Sequence, residues 1–380
     1  MLFLNEKNEG SPKIKVIGIG GGGGNAVGRM FCQGFDDIEF ALINTDHQAL
    51  MNSSVKEKIQ IGQSITKGQG SGGNVEIGQQ SAEADEDMIH DILEGVDILF
   101  ITACFGGGTG TGASPVVAKI AREMNILTFA IITKPFLFEG TKREQAARQG
   151  LKLLHEEVEA IVPLPNDNLI EHADENTSIM DAFCIVDDFL ASSVRTVHRL
   201  ITKPGLINLD FADVRAVMKE KGSACIGHGA AEGKAKTLRA FEMALNSPLL
   251  DKHGVEGARG ILISIMGGKD LTLREIHSSI TKIKQSADKD ANIIFGATID
   301  DTYDDRVEVT LIATGITPED NSNKFISEIQ SSKINAQKNT QVQSQIDFSH
   351  PERGHFDEIE PTFHEGEDLD IPTYLRKKPR

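Results

Sequence analysis

Seven residues restrict this chain more than any others: Gly106-Gly107-Gly108-Thr109-Gly110-Thr111-Gly112, of which five are glycine. Before them, Val96 to Ala103 is an apolar run that reads as a parallel strand buried on both faces. After them, from Ala113 to Glu123, apolar positions recur at helical spacing, and Pro115 suits a first helical turn. A strand, a glycine loop and a helix in that order can hold phosphate. Glycines let the backbone approach the oxygens, and loop N–H groups with the helix N-terminus supply positive potential. Aligned to the phosphate loop GxxxxGK[ST], residues 107–114 carry Ala113 where that loop has lysine. Phosphate charge must therefore be met by backbone dipoles, a metal and side chains from elsewhere. The alternative, a tight turn without ligand, does not need so many glycines.

A second glycine run follows a β-branched strand, Ile14 to Ile19, and leads into a helix from Ala26 to about Gln33. Gly18-x-Gly20-x-x-Gly23 alone is a dinucleotide fingerprint, with Asp36, Asp37 or Glu39 as weak candidates for the ribose acid. In an open parallel sheet both glycine loops would line the carboxyl edge and grip a nucleotide triphosphate from two sides. Asn44-Thr45-Asp46, after the strand Phe40 to Ile43, and a third loop, Gly68 to Asn74, end at the same edge.

Downstream, Ile126 to Thr133 is another buried strand, and a helix follows it toward Glu159; Glu139 and Arg143 are four residues apart and share a face if helical. Ser178 to Thr202 keeps one apolar stripe at helical spacing and stops at Lys203-Pro204-Gly205. Near its start, Phe183 could stack on a base while Asp187 accepts from the N1–H and N2–H of guanine. Core packing for the ring and solvent for the acid is the other reading. Asp210 and Asp213 are candidates to polarise an attacking water, with Asn208 to orient it; alternatively they cap and charge the helix that follows.

Totals exclude several classes. The net charge of −17 argues against nucleic-acid binding. No apolar run is long enough to span a bilayer and no signal-peptide core opens the chain, which points to the cytoplasm without direct membrane insertion. Four scattered cysteines, Cys32, Cys104, Cys184 and Cys225, form no CxxC pair; Cys104 and Cys184 read as small core residues.

GGGTGTG resembles the signature of the tubulin/FtsZ GTPase superfamily, and the chain is similar to its bacterial cell-division branch from residue 13 to about 316 and again in the last dozen residues. The resemblance implies an α/β fold: a Rossmann-like parallel-sheet GTPase domain (13–177) after a flexible N-terminus (1–12), and a central helix (178–203). A smaller α+β domain carrying the catalytic loop (204–316), a disordered linker (317–367) and a partner-binding peptide (368–380) follow. It implies GTP contacts at Gly20, Gly21, Gly22, Gly23, Gly24, Asn25, Asn44, Gly70, Gly107, Gly108, Thr109, Gly110, Thr111 and Asn166. Glu139 would meet the ribose, Arg143 the phosphates, and Phe183 with Asp187 the guanine. Asn208, Asp210 and Asp213 would be catalytic. The expected companions are Mg2+, with a monovalent cation as an option, no assigned metal ligands, further copies of the chain, and membrane-anchoring and regulatory division proteins at 368–380. The expected place is the division site on the inner face of the cell membrane. Phe105, Cys184-Ile185-Val186 and a short linker depart from the family pattern.

Geometry sharpens the expectation. The central helix has about 25 residues and spans about 37 Å, so acids beyond its end cannot reach a base held at its start. They can reach the nucleotide of another copy stacked head to tail, a heterologous contact that makes filaments. Two competing functions are an NAD(P)-dependent oxidoreductase built on the 18–23 fingerprint and a GTP-binding scaffold without hydrolysis.

Overall fold

The computed structural model describes residues 12–35, 37–167, 216–217, 223–247, 254–303, 305–316, 363–364 and 367–368, with single positions between 178 and 198. Phe183, Asn208, Asp210, Asp213 and nearly all of 317–380 lie outside the described residues. Residues 1–319 form one compact unit and 320–380 a second.

The first unit is built on six parallel strands: β1 (Ile14–Ile19), β2 (Ile38–Asn44), β3 (Glu57–Gln60), β4 (Ile98–Cys104), β5 (Leu127–Lys134) and β6 (Ala160–Pro165). Their order across the sheet is β3-β2-β1-β4-β5-β6. The connecting helices are α1 (Gly20–Gln33), α2 (His47–Met51), α3 (Gln63–Thr66), α4 (Val75–Ala84), α5 (Glu86–Leu93), α6 (Thr109–Glu123) and α7 (Thr141–His155). They cover both faces. One core layer joins Val16, Phe100 and Phe129 to Val27 and Met30 of α1, and the other joins Ile17, Leu99 and Ile101 to Val117 and Ala121 of α6. Coverage on both sides explains why β4 reads as a continuous apolar run.

The sheet continues. β7 (Ser223–Glu232) joins β6 through one pair, Ile161 with Ser223; then come β10 (Arg306–Ile316), β8 (Gly260–Gly267) and β9 (Asn292–Ile299). β10 runs antiparallel to β7 and β8, so this smaller part is a mixed sheet, covered by α8 (Lys236–Leu245) and α9 (Leu273–Ser286). Ser178 accepts from the Asp181 N–H at 3.1 Å as an N-cap, and the described positions from 181 to 198 are helical. Leu190, Ala191 and Val194 of that helix share a core with β5 and β6 on one side and Ile226, Leu262 and Ile312 on the other.

Two boundaries differ from expectation. α1 starts at Gly20 rather than Ala26, and α6 at Thr109 rather than Ala113, so the glycine loops are themselves first helical turns. Their N–H groups therefore aim along the helix axes toward the sheet edge. Pro115 accordingly sits inside α6, not in its first turn. In the second unit, Phe363–His364 pairs antiparallel with Glu367–Asp368, where the segment expected to be a linker meets the expected peptide.

Candidate functional site

β1 and β4 are adjacent and parallel, with Ile19 paired to Ala103, yet the chain leaves them in opposite directions across the sheet. That reversal opens a crevice at their carboxyl ends, the place where open α/β sheets bind ligands. Both glycine runs sit there. They touch: a Cβ on Gly20 would lie 2.8 Å from the Gly110 nitrogen, and Gly20 has φ +73°.

The glycines divide by what surrounds them. Side chains at Gly22 and Gly23 would strike the Cys104 sulfur at 2.3 Å and the Thr102 carbonyl at 2.2 Å, so these two let α1 lie on β4. Gly108 and Gly112 are likewise closed, by Ser71 and Asn74 and by the Val75 carbonyl, and let α4 lie on α6. Gly21, Gly24 and Gly107 meet nothing within 4 Å. Gly21 and Gly24 line a cavity of about 760 Å³ together with Asn25, Arg29 and Asn44. The open glycines are the ones free to approach a ligand.

Thr109 ties three loops together. Its hydroxyl is 2.6 Å from that of Thr45, after β2, and 3.0 Å from that of Ser71 in the third glycine loop. The Gly70 N–H donates to the Thr45 carbonyl at 3.3 Å. Thr111 is turned inward, its hydroxyl accepting the Gly106 N–H at 2.9 Å. The loops that carry Thr45 and Ser71 were expected at this edge, but their hydroxyls were not singled out, since loop polarity alone gave no reason to.

On the next strand over, Glu139 accepts the Phe136 N–H at 2.9 Å and pairs with Arg143. Gly140, at φ +94°, separates the 3-10 turn Leu137–Glu139 from α7, so the pair forms across a turn rather than within one helix. A Cβ on Gly106 would lie 3.1 Å from Arg143 Cβ, which sets Arg143 beside the signature loop. Asn166 follows β6; its Oδ1 is buried and has no hydrogen-bond partner among the described residues. A buried amide oxygen in that condition costs about 1–3 kcal/mol, which a donor on a ligand recovers.

On the central helix Asp187 is buried and takes Arg29 Nε at 3.1 Å, while the neighbouring Cys184 and Asp188, not Asp187, line the cavity. Burial pushes the Asp187 carboxyl up to about 6, against the pull of Arg29 and with the repulsion of Asp188. Arg29 was missed by sequence reasoning. It lies four residues after Asn25, but that spacing carries meaning only once the glycine run is known to be helical.

Two expectations are corrected. Asp37 and Glu39 stand at the start of β2, opposite the edge that carries the glycine loops, and Glu39 pairs with buried Lys15 at 3.3 Å. Neither can meet a ribose; the edge position of β2 is Asn44. Cys184 and Cys104 are both half-buried; Cys184 lines the cavity, and so is not a core residue, whereas Cys104 lies against Gly22 of α1 and its thiol is pushed up to about 11 by burial.

Known proteins share this outline. Residues 13–174 match the model of the Tubulin/FtsZ family, GTPase domain, and residues 222–317 that of the FtsZ family, C-terminal domain. A solved FtsZ dimer from M. jannaschii is 41% identical with TM-score 0.73, over 81% of this chain and 89% of that one. A mutant form of M. jannaschii FtsZ is similar at 41% identity and TM-score 0.74, over 81% and 92%. A CetZ2 protofilament with bound GTPγS, from Haloferax volcanii, shares the fold at 20% identity and TM-score 0.72, over 86% and 99%.

Proposed function

Because the chain belongs to the tubulin/FtsZ family and carries its GTPase domain, we propose that it stacks head to tail and hydrolyses GTP between copies to build the division ring. The observation that carries this reading is the meeting of two helical glycine turns at the β1/β4 crevice, with the open Gly21 and Gly24 of the first turn lining a cavity of about 760 Å³. Guanine lies against the central helix, with Phe183 stacked on it and Asp187 accepting from N1–H and N2–H. The phosphates take N–H groups from Gly20–Gly24 and Gly107–Thr111, and Arg143 supplies charge that Ala113 cannot. Glu139 serves the ribose, and Asn25, Asn44, Gly70 and Asn166 complete the lining.

Hydrolysis needs a positioned water and stabilised γ-phosphate oxygens. Asn208, Asp210 and Asp213 of the adjoining copy orient and polarise that water, since their own nucleotide is a domain's width away. The relatives described as a dimer and a protofilament support self-association. Mg2+ supplies charge neutralisation at the phosphates. Among the described residues no three His, Cys, Asp or Glu side chains cluster as a metal cage.

Among the described residues no helix is long and apolar enough to cross a membrane. The reading places the filament in the cytoplasm, tethered at the inner membrane face through residues 368–380 and anchoring proteins bound there. The boundaries proposed are those above: nucleotide domain 13–177, central helix 178–203, second domain 204–316, linker 317–367. Light scattering of the purified chain tests the assembly. It should rise with GTP and Mg2+ and stay flat with GDP or ATP; a rise with ATP equal to that with GTP would refute guanine selection.

A further inference from the structure

Three of the four cysteines stand near the β1/β4 crevice, one exposed and two half-buried. Cys104 ends β4 with its sulfur pressed against Gly22. Cys32, on α1, is exposed, and Cys184, on the central helix, is half-buried; both line the 760 Å³ cavity. Cys32 lies one helical turn after Arg29, and Cys184 one turn before Asp187, so the thiols flank the ion pair between those two. The Arg29 guanidinium also hydrogen-bonds the Cys184 sulfur, the largest of the influences that raise its pKa. The cavity gives a small oxidant entry to both sulfurs. Cys225 offers an internal contrast, buried in the core of the smaller, mixed part of the sheet.

We propose that Cys184 and Cys32 form an oxidation site inside the nucleotide cavity, and that a peroxide acting there shuts out guanine nucleotide. The thiolate sulfur attacks one oxygen of hydrogen peroxide. The O–O bond breaks, an S–O bond forms, and the departing hydroxide takes a proton to leave as water. Sulfur is oxidised by two electrons to sulfenic acid and the peroxide is reduced. At Cys184 the added oxygen and the lost thiol contact dislodge Arg29 and fill space beside Asp187. Nucleotide, in turn, covers both thiols. The inference rests on the cavity being the guanine site.

The test uses the full chain, nucleotide-free or saturated with GDP, exposed to hydrogen peroxide, with sulfenic acids trapped and located by peptide mass spectrometry. Cys184 and Cys32 should be trapped about tenfold faster than Cys104 and Cys225, and GDP should slow them by a similar factor. GDP affinity should fall about tenfold after oxidation and return with dithiothreitol, while oxidation of the C32S/C184S double variant leaves that variant's own affinity unchanged. Labelling of Cys184 no faster than Cys225, unaltered affinity of the oxidised protein, or equal loss in the double variant would each overturn the proposal. If the untreated chain fails to bind GDP, the nucleotide reading itself fails and this one with it.

Discussion

Gly21 and Gly23 are two residues apart in one helical turn and face different neighbours. A methyl at position 23 would press on the Thr102 carbonyl of β4, backbone that cannot swing aside, while a methyl at 21 meets open space. G23A should cost about 1–3 kcal/mol of stability by overpacking. G21A should leave the melting temperature level or higher, since alanine favours helix by about 1 kcal/mol, yet weaken nucleotide binding if this backbone approaches phosphate. Thermal unfolding and GDP titration of the two variants separate the roles. Asp187 gives a pH prediction. Free, its carboxyl titrates at about 6; accepting from guanine requires the carboxylate, so binding expels a proton below that pH. Affinity should hold level above about pH 7 and fall by up to about tenfold per unit below 6. The sign is opposite for the nucleotide-free fold, in which the raised pKa means this group destabilises less as pH falls through 6. Titrations from pH 5 to 8 check this, with D187N expected to remove the part of the slope that the phosphates do not explain.

At the scale of elements, α4 and α6 are locked by three glycines. A Cβ on Gly78 would lie 2.4 Å from the Gly108 carbonyl, and one on Gly112 2.1 Å from that of Val75. This contact presents the third glycine loop to Thr109 through Ser71. G112A, which faces α4 rather than the crevice, should therefore loosen that loop, lower stability by about 1–3 kcal/mol and weaken nucleotide binding; unchanged binding would show the loop is positioned otherwise. The elements themselves were largely legible. Strands β4 and β5 announced themselves by apolar runs and β1 by its β-branched residues, and the central helix by its apolar stripe. The helical state of Gly20–Gly24 was not legible, because glycine has the poorest helix propensity of any residue but proline, and only packing on β4 holds it there. The contacts of Arg29 and of the Thr45 hydroxyl were not legible either, because they depend on neighbours far along the chain.

For the whole molecule, the account divides one active site between two copies. GTP turnover per molecule should therefore rise with protein concentration and level off once filaments form. D213A should still bind GTP and assemble while turnover falls by about 100-fold or more, the scale expected when a water-polarising group is lost. The most direct measurement mixes D213A, which keeps its nucleotide site, with D187A, which keeps its acidic loop but binds GTP poorly. If each copy completes its neighbour's site, the mixture hydrolyses GTP about tenfold faster than the sum of the two alone. If the mixture gives only that sum, each copy acts by itself and the shared site is refuted.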